Sequence, residues 1–224
     1  MRYPKIIYYH DIATCMDDCP PRCYGPTIGQ FREHVAYLQS RFNILDPLEL
    51  VDCCKSGRFP RKPSVAITFD DGLSGAMLAA EVLAEAKLPA LVFLATRFID
   101  TREHPWFVHL DDLILEAAKR RKPLSISGRE FSMNTISNRM PFRRRAKMLL
   151  LGRPYNEQVT ALTEWADEIG WRLGEGREDQ GTFLSWRQVE ELAGSGFHFA
   201  SHTHSHVDLR VLSDEELDKE FAKP

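Results

Sequence analysis

The chain of 224 residues has no apolar run approaching the roughly 18 residues that a membrane span requires. Its start, "MRYPKIIYYHDI", is too short in apolar residues for a signal peptide, so a cytoplasmic protein without a membrane span is expected. The chain also lacks an excess of one charge: 29 Lys and Arg stand against 32 Asp and Glu, a net charge of -3. That balance gives no general reason to expect nucleic acid or an anionic membrane as a partner. Cysteine is sparse, and an odd count of 5 speaks against a disulfide framework. Cys15, Cys19 and Cys23 form a C-x3-C-x3-C run in a Pro-rich loop, which matches no familiar metal or cluster spacing and has no evident fourth ligand. Cys53 and Cys54, at the end of a helix, read as packing residues. Repeats and low-complexity tracts are absent as well.

What is present is an alternation of strands and helices. Lys5 to His10 is β-branched and aromatic, as a buried strand should be. Thr27 can cap a helix whose apolar face is Ile28, Phe31, Val35 and Leu38. Asn43 to Leu45 is a short strand, and Asp46 before Pro47 gives an N-cap and a first-turn proline to the next helix. Val65 to Phe69 is a strand, Ser74 to Lys87 an Ala-rich helix, and Ala90 to Thr96 a second buried strand. This order predicts parallel strands with helices outside them. Residues 100–181 then supply helices at Val108 to Arg121, Pro141 to Leu151 and Glu157 to Ile169 but no convincing strand, and read as a helical insertion within a single domain, 1–224. Its basic runs, Lys119 to Lys122 and Arg143 to Arg145, read as solvated helix faces. The alternation resumes with a strand near Thr182, a capping box of Ser185 with Gln188 on a helix Trp186 to Ala193, and a strand Phe197 to Ala200.

Two polar clusters follow strands. The run "AITFDDG" ends in adjacent carboxylates, Asp70 and Asp71, and a glycine. Like charges side by side repel, so the pair needs either solvent or a cation. The second cluster is "ASHTHSH", with His202, His204 and His206. Histidines four apart turn toward one ion if the loop coils helically, whereas an extended loop aligns all three; either arrangement suits a transition metal. Strand ends of a parallel barrel meet at its C-terminal face, so one carboxylate could ligate a cation and the other remain as a base. Two imidazoles and a carboxylate leave coordination positions open, as a hydrolytic site needs.

The pairing of "TFDDG" with "SHTHSH" resembles the NodB-homology polysaccharide deacetylases, carbohydrate esterase family 4, whose motifs read T-F-D-D-G and H-S/T-x-x-H. "IIYYHDI" is similar to that family's first strand, "FREHVAYLQSRFNILDPLEL" to the elements after it, and "LSWRQVEELAGSGFHFASHTHSHVDLRVLSDEEL" to the run through its second motif. The resemblance implies an α/β fold, a distorted (β/α) barrel of the NodB-homology type. It implies Asp70 as catalytic base, Asp71, His202 and His206 as metal ligands, and zinc as the leading ion with cobalt or nickel open on ligand grounds. His204 falls at a variable position and reads as a rim residue, Thr68 and Thr203 as loop supports. His10 either approaches the site from the first strand or is a buried, hydrogen-bonded histidine. The implied reaction is hydrolysis of an N-acetyl group on an amino sugar of a polysaccharide or glycolipid, with N-deformylation as the alternative within the family.

The family's later motifs, which include an Arg, an Asp-Trp pair and a late histidine, should begin where the sequence stops at Pro224. The barrel is therefore expected to be incomplete at the C-terminus, with about six strands where closure needs about seven or eight. Two other readings follow: a truncated, non-catalytic fragment that binds metal or glycan, and a metal phosphoesterase. The second would need another metal, for which carboxylates near the motifs are too few.

Overall fold

Six consecutive buried residues, Ser64–Phe69, form the central strand β3 of a computed structural model that describes residues 3–14, 25–175 and 181–222. A strand buried throughout has no polar face, because both sides are covered by other elements. Strand β1 (Lys5–Tyr9) runs parallel to it over its whole length, from Lys5 opposite Val65 to Tyr9 opposite Phe69. Strand β2 (Asn43–Ile44) pairs with Ser64 and Val65, and β4 (Ala90–Leu94) with Thr68 and Phe69. Because β1 already occupies one edge at Val65 and Phe69, β2 and β4 share the other edge, one at each end. Strand β7 (Phe197–Ser201) then pairs with β4 from Ala90 opposite Phe197 to Leu94 opposite Ser201.

Every pairing in this sheet is parallel, so each connection must cross over, and helices supply the crossovers. The sequence had placed their starts: Thr27 and Gln30 form a capping box on α1 (Ile28–Arg41), Asp46 caps α2 (Pro47–Ser56), and Ser185 and Gln188 box α7 (Trp186–Ala193). Helix α3 (Ala76–Ala86) buries Ala76, Ala79, Val82 and Leu83, joining a core that includes Phe31, Ile67, Phe69, Val92 and Phe197. The result is the expected mixed α/β fold of parallel strands with helices, similar to a (β/α) barrel, and no barrel closes among the described residues. Residue Asp46 has a second task, since its carboxylate lies 3.0 Å from His198 Nε2 and ties β7 to the start of α2.

The described residues group into two compact units, the one above (3–14, 25–100 and 181–202) and a second made of 101–175 and 203–222. The second has its own core of Trp106, Leu113, Phe142, Leu162 and Trp171, among others. Helices α4 (Trp106–Lys119), α5 (Ile136–Leu150) and α6 (Tyr155–Glu168) carry most of it, with α8 (Asp214–Ala222) near the end of the chain. Asp111 of α4, only 2% exposed, makes two contacts with the Arg143 guanidinium, at 2.7 and 3.2 Å.

Several expectations need correction. Residues 100–181 do contain strands, β5 (Leu124–Ile126) and β6 (Arg129–Phe131), paired antiparallel. Three-residue strands show no periodicity, and the available signal was the Ser127-Gly128 turn, where both residues have positive φ (52° and 75°), as a tight hairpin turn requires. Helix α5 begins at Ile136 behind the cap of Thr135, so Pro141 lies inside it. Near Thr182 there is no strand but an isolated antiparallel bridge between Leu73 and Phe183. Cys54 is exposed and does not pack, and Cys15, Cys19 and Cys23 lie outside the described residues.

Candidate metal centre

The end of β3 is fixed by the backbone. Asp70 N donates to Tyr9 O at 2.8 Å, extending the β1–β3 ladder by one residue. Asp71 and Gly72 then turn the chain with φ of 72° and 76°. Asp tolerates this left-handed region better than most side chains. At Gly72 the left-handed conformation favours glycine, and a Cβ there would also press on the tip of the Leu94 side chain, 2.9 Å from Cδ2. The turn is knitted to its neighbours, with Ala95 N donating to Asp71 O at 3.3 Å and Leu184 N to Gly72 O at 2.9 Å.

The parallel ladder brings the second cluster alongside. His202 follows β7 directly, and its N–H donates to Leu94 O at 2.8 Å. Its ring lies 6.0 Å from that of Phe93, and its Nε2 is 3.2 Å from Asp71 Oδ1. The Asp71 side chain is only 4% exposed, which makes an imidazolium or a cation beside it electrostatically valuable. The hydrogen bond to Asp71 raises the His202 pKa above the ordinary histidine value; burial opposes this, and the charges of Asp71 and Asp70 add to it.

The loop after His202 holds two residues in the left-handed region, Thr203 at φ 66° and His206 at φ 53°. A β-branched residue is rare there, and such positions cost about 1–3 kcal/mol each. The loop is held by His206 N donating to Thr203 Oγ1 at 3.2 Å, and by Glu220 of α8, which accepts from Ser205 N at 2.7 Å and from the Ser205 hydroxyl. The Phe107 and His206 rings make a T-shaped contact, with centroids 5.4 Å apart. Asp71, His202 and His206 each offer one ligand atom, and these atoms lie within 4.8 Å of one another. Two imidazoles and a carboxylate are a donor set that zinc and its neighbours accept, so the residues fit the ion that the sequence motifs imply.

The sequence model of the polysaccharide deacetylases matches residues 58–224. The chain belongs to this family. Its fold is similar to that of the Streptococcus pyogenes deacetylase PplD, solved in complex with acetate, with a TM-score of 0.54 and 15% identity over 97% of this chain and 63% of that one. It is also similar to a polysaccharide deacetylase from Bacillus cereus, with a TM-score of 0.50 and 14% identity over 100% of this chain and 49% of the other. The chain thus spans about half to two-thirds of the length of these structures, and at such identity the likeness is one of fold. No curated protein matches it in sequence.

Within this deacetylase-family chain the other candidate residues fall as follows. Asp70 is half-buried beside Asp71, Thr68 is buried in β3, and His204 is half-buried in the histidine loop. His10 is not the buried histidine of the second reading: it is exposed at the end of the first strand, its ring in a T-shaped contact with Tyr8 at 5.6 Å. Sequence reasoning did not find Glu220 or Phe107. Glu220 lies in a helix whose pattern shows only that it is charged, and its burial (7% exposed) comes from a contact 15 residues away.

Proposed function

We propose that the chain is a metal-dependent hydrolase that removes N-acetyl groups from amino sugars of a polysaccharide or glycolipid. The observation that carries this reading is the Asp71–His202 contact at 3.2 Å, formed next to Asp70 by the two strand ends that bear the family's motifs. Asp71, His202 and His206 would hold the ion, with zinc first and cobalt or nickel next by donor type. When bound, such an ion supplies Lewis acidity toward an amide carbonyl oxygen and toward water. Asp70 supplies the base: a carboxylate oxygen takes a proton from the attacking water as the new C–O bond forms. The C–N bond then breaks, acetate leaves, and the nitrogen departs as an amine once protonated, for which the proton held by Asp70 is available. The fold neighbour from Streptococcus pyogenes is a deacetylase solved with acetate, the product this reaction would release.

The test is acid release from N-acetylated and N-formylated chitooligosaccharides by the zinc-loaded chain and by Asp70→Asn. Acetate release that falls by about two to four orders of magnitude in the variant, with metal retained, is the expected result. Formate release alone would transfer the reading to a deformylase, and undiminished turnover in Asp70→Asn would remove the assigned base.

A further inference from the structure

Helix α5 has two unlike faces. One buries Phe142, Ala146 and Leu150 in the core of its unit, and Arg143 on its flank is occupied by Asp111. The opposite face should be polar if it met only water. Instead Ile136 is 73% exposed, Met140 43% and Met148 69%, and Leu151, just past the helix end, is 41% exposed. Arg144, Arg145 and Lys147 are exposed among them. A groove of about 500 Å³ runs along this face, lined by Arg129 and Phe131 of β6 and by Met140, Arg144, Arg145 and Met148 of α5. Arg129, Arg144 and Arg145 have no carboxylate partner among the described residues.

The charged residues that line the groove are all basic although the chain as a whole is slightly acidic. No Asp or Glu occurs between Glu130 and Glu157, while that stretch holds Arg139, Arg143, Arg144, Arg145, Lys147 and Arg153. A second copy of the same face would set arginines against arginines, which argues against symmetric self-association. A nucleic acid would satisfy the arginines but offers no apolar phase for Ile136, Met140 and Met148. A bilayer surface carrying anionic headgroups satisfies both: phosphate for the guanidinium groups, and the headgroup–acyl boundary for the apolar side chains.

We infer that the outer face of α5, with Arg129 of the adjoining hairpin, docks the protein on an anionic lipid surface. It lies flat on the bilayer rather than crossing it, in keeping with no described helix being long and apolar enough to span. The expectation that Arg143 to Arg145 form a merely solvated face changes because of the apolar side chains exposed between the cations. The inference does not depend on the reaction proposed above.

The experiment is co-sedimentation of the intact chain with vesicles of phosphatidylcholine alone and of phosphatidylcholine with phosphatidylglycerol. Binding only to the anionic vesicles is expected, weakened about thirtyfold in Arg144→Ala/Arg145→Ala, since each cation near such a surface contributes about fivefold. Met140→Ser/Met148→Ser, which keeps every charge, should weaken binding about tenfold through lost apolar insertion. In Met148→Trp, lipids brominated on the acyl chain should quench fluorescence beyond that of the native tryptophans. Absence of binding to anionic vesicles would overturn the inference. So would undiminished binding by the methionine variant, which would show adhesion by charge alone, or binding of an RNA oligonucleotide in preference to the vesicles.

Discussion

Glu220 accepts hydrogen bonds from both the backbone N–H and the hydroxyl of Ser205, closing α8 onto the loop that carries His204 and His206. Both residues are buried, Ser205 at 5% exposure and Glu220 at 7%. A carboxylate placed there satisfies a buried N–H, and it holds the residue immediately before His206.

Glu220→Ala should therefore loosen the histidine loop. The unsatisfied Ser205 N–H costs about 1–3 kcal/mol of stability. Metal affinity should fall about tenfold or more, as when a group that orients a ligand is removed. Glu220→Gln keeps one acceptor oxygen and should restore most of both. Equilibrium denaturation and competitive zinc titration separate the two effects. A loss of stability with affinity unchanged would make Glu220 a support of the fold alone.

The His202–Asp71 contact should make binding of an ion at this site dependent on pH. Because the His202 pKa is raised in the folded protein, the protonated pair adds stability to the metal-free form below the ordinary histidine value, and that stability is lost as pH rises through the raised value. The metal needs the neutral imidazole and so competes with this proton. Zinc affinity should still be climbing, by up to about tenfold per pH unit, between the ordinary histidine value and the raised one, and level off only above it. Competition titrations across that range measure it, and an affinity already level at the ordinary histidine value would contradict the role of Asp71.

In the second unit, Arg143 and the 2% exposed Asp111 form a pair whose worth lies in its completeness. Arg143→Leu should destabilise by about 3–5 kcal/mol, since it removes the guanidinium that makes two hydrogen bonds to the buried Asp111 carboxylate. Asp111→Leu/Arg143→Leu should recover much of that. Urea denaturation gives the comparison, and a double variant no more stable than Arg143→Leu would show that the pair is worth more than its desolvation cost.

Much of the fold was legible because local signals agreed with the tertiary result. The apolar run ending in Phe69 is a strand buried on both faces, and the caps at Thr27, Asp46 and Ser185 start helices where expected. That the carboxylate pair and the histidine run would meet was legible because parallel strands put their ends at one edge of a sheet, whereas the choice of Asp71 with His202 came from the resemblance of the motifs to the polysaccharide deacetylases. Other features depend on partners remote in the chain. The β5–β6 hairpin is too short for periodicity, and α5 continues through Pro141, a residue that ordinarily ends a helix, because Phe142, Ala146 and Leu150 are buried around it. Glu220 looked like any acidic helix residue, and only its contact with Ser205 distinguishes it.

The most direct test of the metal centre is the zinc content of the purified chain after equilibration with the ion and desalting, measured beside His206→Ala. Asp71, His202 and His206 place their ligand atoms within 4.8 Å of one another, so one ion per chain is predicted in the parent protein and a steep loss in the variant. A stoichiometric ion retained by His206→Ala, or none bound by the parent chain, would contradict the account.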